Sequence, residues 1–367
     1  MTISRRAVLG FGALGASAAL TGGALLYRDN PAVRGLLGEV TPLKGYAGGE
    51  KIAFIENPRT VSALKHHGLA VTAIRAGSVD QVRDPQLLAA KPQFLWPSSS
   101  PLVELARRNV AVLRDQVIFN SPIVIYSWTP VADGLVTAGL AVKEDGHYYV
   151  DAKKLIDAVL ARKPWKDLGQ PGLYGTVRLI ATDPNKSNSG FMFAGLAANL
   201  IAGDVVGRDG LQAVLPPLTE LFRGMGYKPD SSGKVFDSYI AGGPGADPLV
   251  VGYENQLVEW ILQDPARWAR VEAAAGPAKP VALYPRPTVY SAHPLLALAP
   301  ESLDLIEALM SPQLQTIGWR DHGFRGPLGS IGSDTDALVK GRMPDQIASV
   351  APMPEIEVML EILKALA

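Results

Sequence analysis

Residues 176–202 read TVRLIATDPNKSNSGFMFAGLAANLIA. The apolar run at 176–181 predicts a buried strand, 182–190 is a polar turn, and the apolar stretch 191–202 predicts a helix. A helix start leaves about four backbone N–H groups unpaired and carries roughly half a positive charge, so this turn suits an anionic or strongly polar ligand. Ser187 and Ser189 add hydroxyls that donate or accept, and Gly190 permits close backbone approach. Ordinary N-capping by one of these side chains is the alternative reading, and a cap needs only one of them.

The same strand, turn and helix order recurs on both sides of this stretch. A strand at 40–46 leads through Gly48-Gly49-Glu50 into a helix at 51–67, broken where Asn57 caps a new turn begun by Pro58. Strands follow at 69–74 and 92–96, the second leading through Ser98-Ser99-Ser100 and Pro101 into a helix that runs to Arg108. Residues 248–252 predict another strand, with Tyr253 and Glu254 at its end and a helix at 256–262. Tyr253 is able to donate to an oxyanion, whereas the carboxylate of Glu254 would repel one. Residues 120–128, NSPIVIYSW, form a β-branched and aromatic run long enough to leave one sheet and enter another. Residues 280–298 read as the return crossing, and 152–162, 302–310 and 355–366 as helices. Alternation of this kind predicts an α/β fold with a mostly parallel sheet, whose ligand sits at the C-terminal ends of the strands.

The chain has 367 residues, 47% hydrophobic and 19% charged, enough for two cores and too apolar for general disorder. Lys plus Arg and Asp plus Glu both number 35, so no global field points to nucleic acid. Absence of cysteine excludes disulfides, thiolate metal sites and a Cys nucleophile. No two of the five histidines stand at i, i+4, and His66-His67 before Gly68 reads as a polar helix end rather than a metal site. We expect neither metal nor cofactor. No G-x-S-x-G, Walker A or H-E-x-x-H occurs, and the G-x-G-x-x-G at 10–15 (GFGALG) falls inside the N-terminal apolar segment instead of following a strand. Ser231 to Lys234 satisfies S-x-x-K in a Gly- and Pro-flanked loop, without a following K-T-G.

Residues 1–6, MTISRR, precede 21 residues without a charged side chain at 7–27. This reads as an export signal or a membrane anchor at 1–28, with Arg5-Arg6 resembling a twin-arginine signal and residues 16–18 offering a cleavage site. A polar linker at 29–39 follows. Either fate of the segment places the remainder outside the cytoplasm, on the periplasmic or extracellular face.

The ordered series GGEK (48–51), FLWPSSSP (94–101), IFNSPIVIYSW (118–128), KPWKDLG (163–169), TDPNKSNSG (182–190), VVGYENQLVEW (250–260) and GWRDHGFRGP (318–327) resembles the bacterial extracellular solute-binding proteins of the type 2 periplasmic binding fold, in particular the molybdate and sulfate binders. The resemblance implies a two-lobed α/β fold with two hinge crossings, lobe 1 at 40–127 plus 286–367 and lobe 2 at 128–285. It further implies an interlobe cleft lined by Gly49, Glu50, Ser98, Ser99, Ser100, Ser121, Ser187, Asn188, Ser189, Gly190, Tyr253 and Glu254. Glu50 and Glu254 depart from what an oxyanion binder would carry, which leaves the ligand open. The expected function is capture of a small polar or anionic solute by a monomer that serves a membrane importer or sensor. An envelope protein-interaction module on the same fold, or a hydrolase built on Ser231, are the competing readings.

Overall fold

The computed structural model describes residues 40–274, 278–327 and 343–367; the expected signal, arginine pair and linker lie outside them. Among the described residues no helix is long and apolar enough to cross a membrane. In chain order the strands are β1 (Thr41–Ala47), β2 (Leu69–Arg75), β3 (Phe94–Trp96), β4 (Arg114–Trp128), β5 (Ala141–Glu144), β6 (His147–Asp151), β7 (Val250–Tyr253), β8 (Pro280–Arg286) and β9 (Tyr290–Ala297). The helices are α1 (Gly49–Glu56), α2 (Pro58–His66), α3 (Ser78–Arg83), α4 (Pro85–Ala89), α5 (Pro101–Asn109), α6 (Thr129–Thr137), α7 (Ala152–Leu160), α8 (Asn188–Ala202), α9 (Arg208–Gly224), α10 (Ser232–Gly242), α11 (Glu254–Gln263), α12 (Pro265–Ala273), α13 (Glu301–Leu309), α14 (Pro312–His322) and α15 (Ile356–Ala365).

The strands run in the order β2-β1-β3-β9-β4-β8-β6-β5, with β7 also on β4. Among the described strands only β1–β2, β1–β3 and β6–β8 pair in parallel, so the sheet is mixed rather than mostly parallel. The return strands cause this: β8 and β9 run back along β4 in antiparallel register. β4 is the shared element. Residues 114–122 pair with β9, whereas residues 123–128 pair with β7 and β8, so the partners change between Pro122 and Ile123. The change falls inside the 120–128 run that reads as leaving one sheet for the other, ahead of the 127/128 lobe boundary implied by the resemblance. The second link between the two sheet halves is the short segment from Arg286 to Tyr290.

Local chemistry explains most helix starts. Asn57 accepts the backbone N–H of Arg59 at 2.9 Å and separates α1 from α2, as its place before Pro58 predicts. Asp151 and Asp264 cap α7 and α12 in the same way. Helix α8 is apolar all round because it is enclosed by α7, α9, α15 and β7. Full burial of Phe191, Met192 and Leu196 there stabilises the fold by roughly 1.5–3 kcal/mol each. The C-terminal helix α15 packs on α8 and α9 and also touches α5, with Glu357 paired to Arg108, so it spans both sheet halves.

Two expectations are corrected, and one helix forms where the sequence analysis had marked no element. Residues 176–181 form no strand: they are extended and held by isolated bridges of Thr176 to Pro164 and Ile180 to Val250, since β7 offers only four residues to pair with. Residues 208–224 make a helix despite Pro216 and Pro217, because Leu211, Val214, Leu218, Leu221 and Phe222 bury one face. Ser231 does not lie in a loop away from structure. It is the N-cap of α10.

Candidate functional site

The parallel register brings three turns to one level. Ala47 lies opposite both Arg75 and Trp96, so the chain leaves β1, β2 and β3 at one edge and presents residues 48–50, 75–78 and 98 there. From the other sheet half, the parallel bridge Ile180 to Val250 places residues 186–188 near Tyr253. These segments enclose a cavity of about 60 Å³ lined by Gly48 to Glu50, Arg75 to Ser78, Lys186 to Asn188, Asp230 to Ser232 and Tyr253.

The cavity is ringed by helix starts. The first turns of α1, α8, α10 and α11 contribute Gly49, Asn188, Ser232 and, at the cap position, Tyr253. At α1 and α8 no side chain caps the free N–H groups, which leaves them available to a ligand. Converging N-termini give a positive potential in a site that shields them from water.

Glu50 would oppose that potential, but the fold neutralises it from below. Lys51 is fully buried, its ammonium 2.5 Å from Glu50 Oε1, 2.6 Å from Ser98 Oγ and 3.2 Å from His293 Nδ1. Ser98 Oγ also donates to Glu50. Burial alone would raise the Glu50 pKa; the Lys51 ammonium beside it outweighs that and holds the carboxyl well below the usual range. Burial, with the Lys51 charge, pushes His293 down to about 4, so the imidazole is neutral and its Nδ1 accepts from Lys51. Each of the three ammonium protons therefore has a partner, which a buried cation requires.

Of the residues expected in the cleft, Gly49, Glu50, Ser187, Asn188 and Tyr253 line it. Asn188 reaches across from α8 and donates to Ser98 O at 2.8 Å and to Tyr253 Oη at 3.1 Å, so the cleft is closed. Ser98 and Ser99 are buried beneath it and Ser100 is exposed at the start of α5. Ser121 Oγ accepts the Asn255 N–H at 3.2 Å and so ties β4 to α11. Ser189 is held by Thr182 at 2.7 Å. Gly190 is needed for packing: a Cβ there would lie 2.3 Å from Thr182 O. Glu254 faces Arg325, with contacts of 2.6 Å and 2.8 Å, and accepts from Tyr284 at 2.8 Å.

Ser231 Oγ accepts the Lys234 N–H at 3.3 Å, while Lys234 Nζ pairs with Asp230 at 2.8 Å. The S-x-x-K spacing is thus a cap and an ion pair, which removes the basis for a serine hydrolase there. Sequence reasoning missed Lys51, Arg75, Ser78, His293 and Arg325. Arg75-Ala76-Gly77-Ser78 follows β2 in the same strand, Gly/Ser and helix pattern and was findable; His293 and Arg325 carry no local signal. Among the described residues no group of three His, Asp or Glu is placed to hold a metal ion.

Solved structures share this fold. A periplasmic thiamin-binding protein superposes with a TM-score of 0.59 and 13% identity, covering 89% of this chain and 97% of its own. A periplasmic binding protein of Actinobacillus pleuropneumoniae with fructose-6-phosphate bound gives 0.57 and 11%, covering 89% and 96%. The apo ferric ion-binding protein A of Pasteurella haemolytica gives 0.56 and 14%, covering 89% and 95%. No protein-family model and no curated protein sequence matches the chain. The fold is the two-lobed type 2 periplasmic binding fold, with β4 and the link from β8 to β9 as its two crossings.

Proposed function

We propose that the chain is an exported, non-catalytic solute-binding protein that captures a small polar or anionic solute between its lobes for a membrane importer or sensor. The observation that carries this reading is the convergence of four helix N-termini from both sheet halves on one cavity between them, whose only buried carboxylate among the described lining residues is already neutralised by Lys51. The neighbours in fold, named for thiamin, fructose-6-phosphate and ferric ion, support a binding role. Export is supported by the basic and apolar segment at 1–27. The lobe boundaries follow the sheet partners, with residues 40–122 and 290–327 on one side and 123–286 on the other.

Native mass spectrometry of the purified protein tests the reading, because a tightly held solute survives gentle desalting. A small anion bound one to one, released by Ser187→Ala, is the expected result. A bare chain that also shows no thermal shift with any anion in a broad panel overturns it.

A further inference from the structure

Arg75, the last residue of β2, is exposed and makes no hydrogen bond or ion pair with any described residue. Its guanidinium lies on the backbone of Gly49: a Cβ on that glycine would stand 2.7 Å from Nε. It also reaches toward α10, with Nη2 3.9 Å from where a Gly233 Cβ would be. A cation held beside the first turns of two helices meets charge of its own sign. That arrangement is relieved by an anion bound between them.

Arg75, Gly49 and Glu50 also line a second compartment of about 210 Å³, more than three times the first. Its remaining wall has the opposite character. Phe236, Asp237, Gln256, Glu259, Trp260 and Gln263 line it, from α10 and α11. Asp237 makes no hydrogen bond or ion pair with any described residue. Glu259 is 2.6 Å from His322 Nδ1, and the Trp260 ring already carries the Arg267 guanidinium at 4.0 Å. In the inner compartment Asn188 is buried and its Oδ1 has no partner, so it can accept from a ligand O–H or N–H.

We propose, resting on the solute-binding reading above, that Arg75 is the charge partner of the solute and that the outer compartment is a second subsite, which makes the solute a small organic zwitterion. Its phosphate or phosphonate head fits the inner compartment, where the first turns of several helices offer more N–H donors than a carboxylate has oxygens to accept. A short spacer passes Arg75. A protonated amine then meets Asp237. A bare oxyanion would fill only the smaller space and leave Asp237 without a partner among the described residues.

Titration calorimetry on the whole exported chain, with phosphoethanolamine, ethyl phosphate and inorganic phosphate as probes, tests this. Phosphoethanolamine binds about tenfold or more tightly than the other two; Asp237→Asn abolishes that preference, and Arg75→Gln weakens all three by about tenfold, with melting temperatures near wild type. Equal binding of ethyl phosphate and phosphoethanolamine, or a preference that survives Asp237→Asn, overturns the second subsite while leaving solute binding intact. Undiminished binding by Arg75→Gln overturns the role of Arg75. Failure of all three probes to bind, with a different solute found by mass spectrometry, overturns the zwitterion alone; failure with no solute found brings down the functional reading as well.

Discussion

His293 shows how a single residue couples the cleft to pH. Its folded pKa of about 4 lies below its ordinary value of 6.5, so on acidification the unfolded chain takes up the proton first. Stability conferred by the neutral ring is therefore complete above pH 6.5 and is lost as pH falls toward about 4, by on the order of 3 kcal/mol at most. Glu50 acts in the same direction at lower pH, because its depressed folded pKa means its stabilisation fades once the pH drops below the ordinary carboxylate range. Thermal melts should fall steeply over this window in the wild type and more gently in His293→Gln; parallel profiles would contradict the assignment. The two serines of the α8 turn separate by the same logic. Ser187 faces the cavity and caps nothing, so Ser187→Ala weakens solute binding about tenfold at nearly constant melting temperature. Ser189→Ala strands the Thr182 hydroxyl and costs about 1–2 kcal/mol of stability with little effect on affinity. The reverse pattern would move the site.

At the scale of elements, α8 depends on how closely its first turn can approach the preceding turn. In Gly190→Ala the new methyl meets three backbone atoms, Thr182 O at 2.3 Å and Pro184 N and the Thr182 carbonyl carbon at 2.9 Å, and backbone cannot swing aside as a side chain can. Denaturant unfolding should show a loss of about 2 kcal/mol or more. Helix α11 is tied down differently. Its first residue, Glu254, anchors Arg325, which also donates to the carbonyl of Pro344. Glu254→Gln leaves a buried guanidinium short of its counter-charge and should cost about 3–5 kcal/mol, far more than an exposed ion pair would. A change within 1 kcal/mol would mean that water reaches this pair.

For the whole molecule, the closed cleft is held by contacts between the halves that include Asn188 to Ser98, Glu254 to Arg325 and Glu259 to His322. The sheet halves are joined by the continuous strand β4 and the link at 286–290, and α15 lies across both. Rigid halves joined this way move by changes at a few backbone positions. Small-angle scattering should show a larger radius of gyration for solute-stripped protein than for saturated protein, with identical far-ultraviolet dichroism. Equal radii for a solute proven to bind would show that closure does not depend on it.

Local physics was legible in the sequence. The alternation of strands and helices, the Asn57-Pro58 break and the polar turns opening α1, α5, α8 and α11 follow from capping, proline geometry and hydrophobic period, which act over a few residues. The same rules marked the turn that holds Ser187 and Asn188, and by themselves they imply a positive ring of helix starts at the strand ends. What they cannot reach is direction. Ser121 and Ser187 are alike as sequence, yet one fastens β4 to α11 and the other faces the cavity, because the answer depends on which element packs opposite. Lys51 meets His293 from 242 positions away, and Glu254 meets Arg325 from 71, so only the closed chain shows that both carboxylates are neutralised. Helix α9, with two prolines, forms because tertiary burial of one face outweighs local propensity. The sequence determined the fold class and the turns able to bind; the packing of the two halves decided which turns face each other and left Arg75 without a partner among the described residues, since that depends on contacts between residues far apart in the chain.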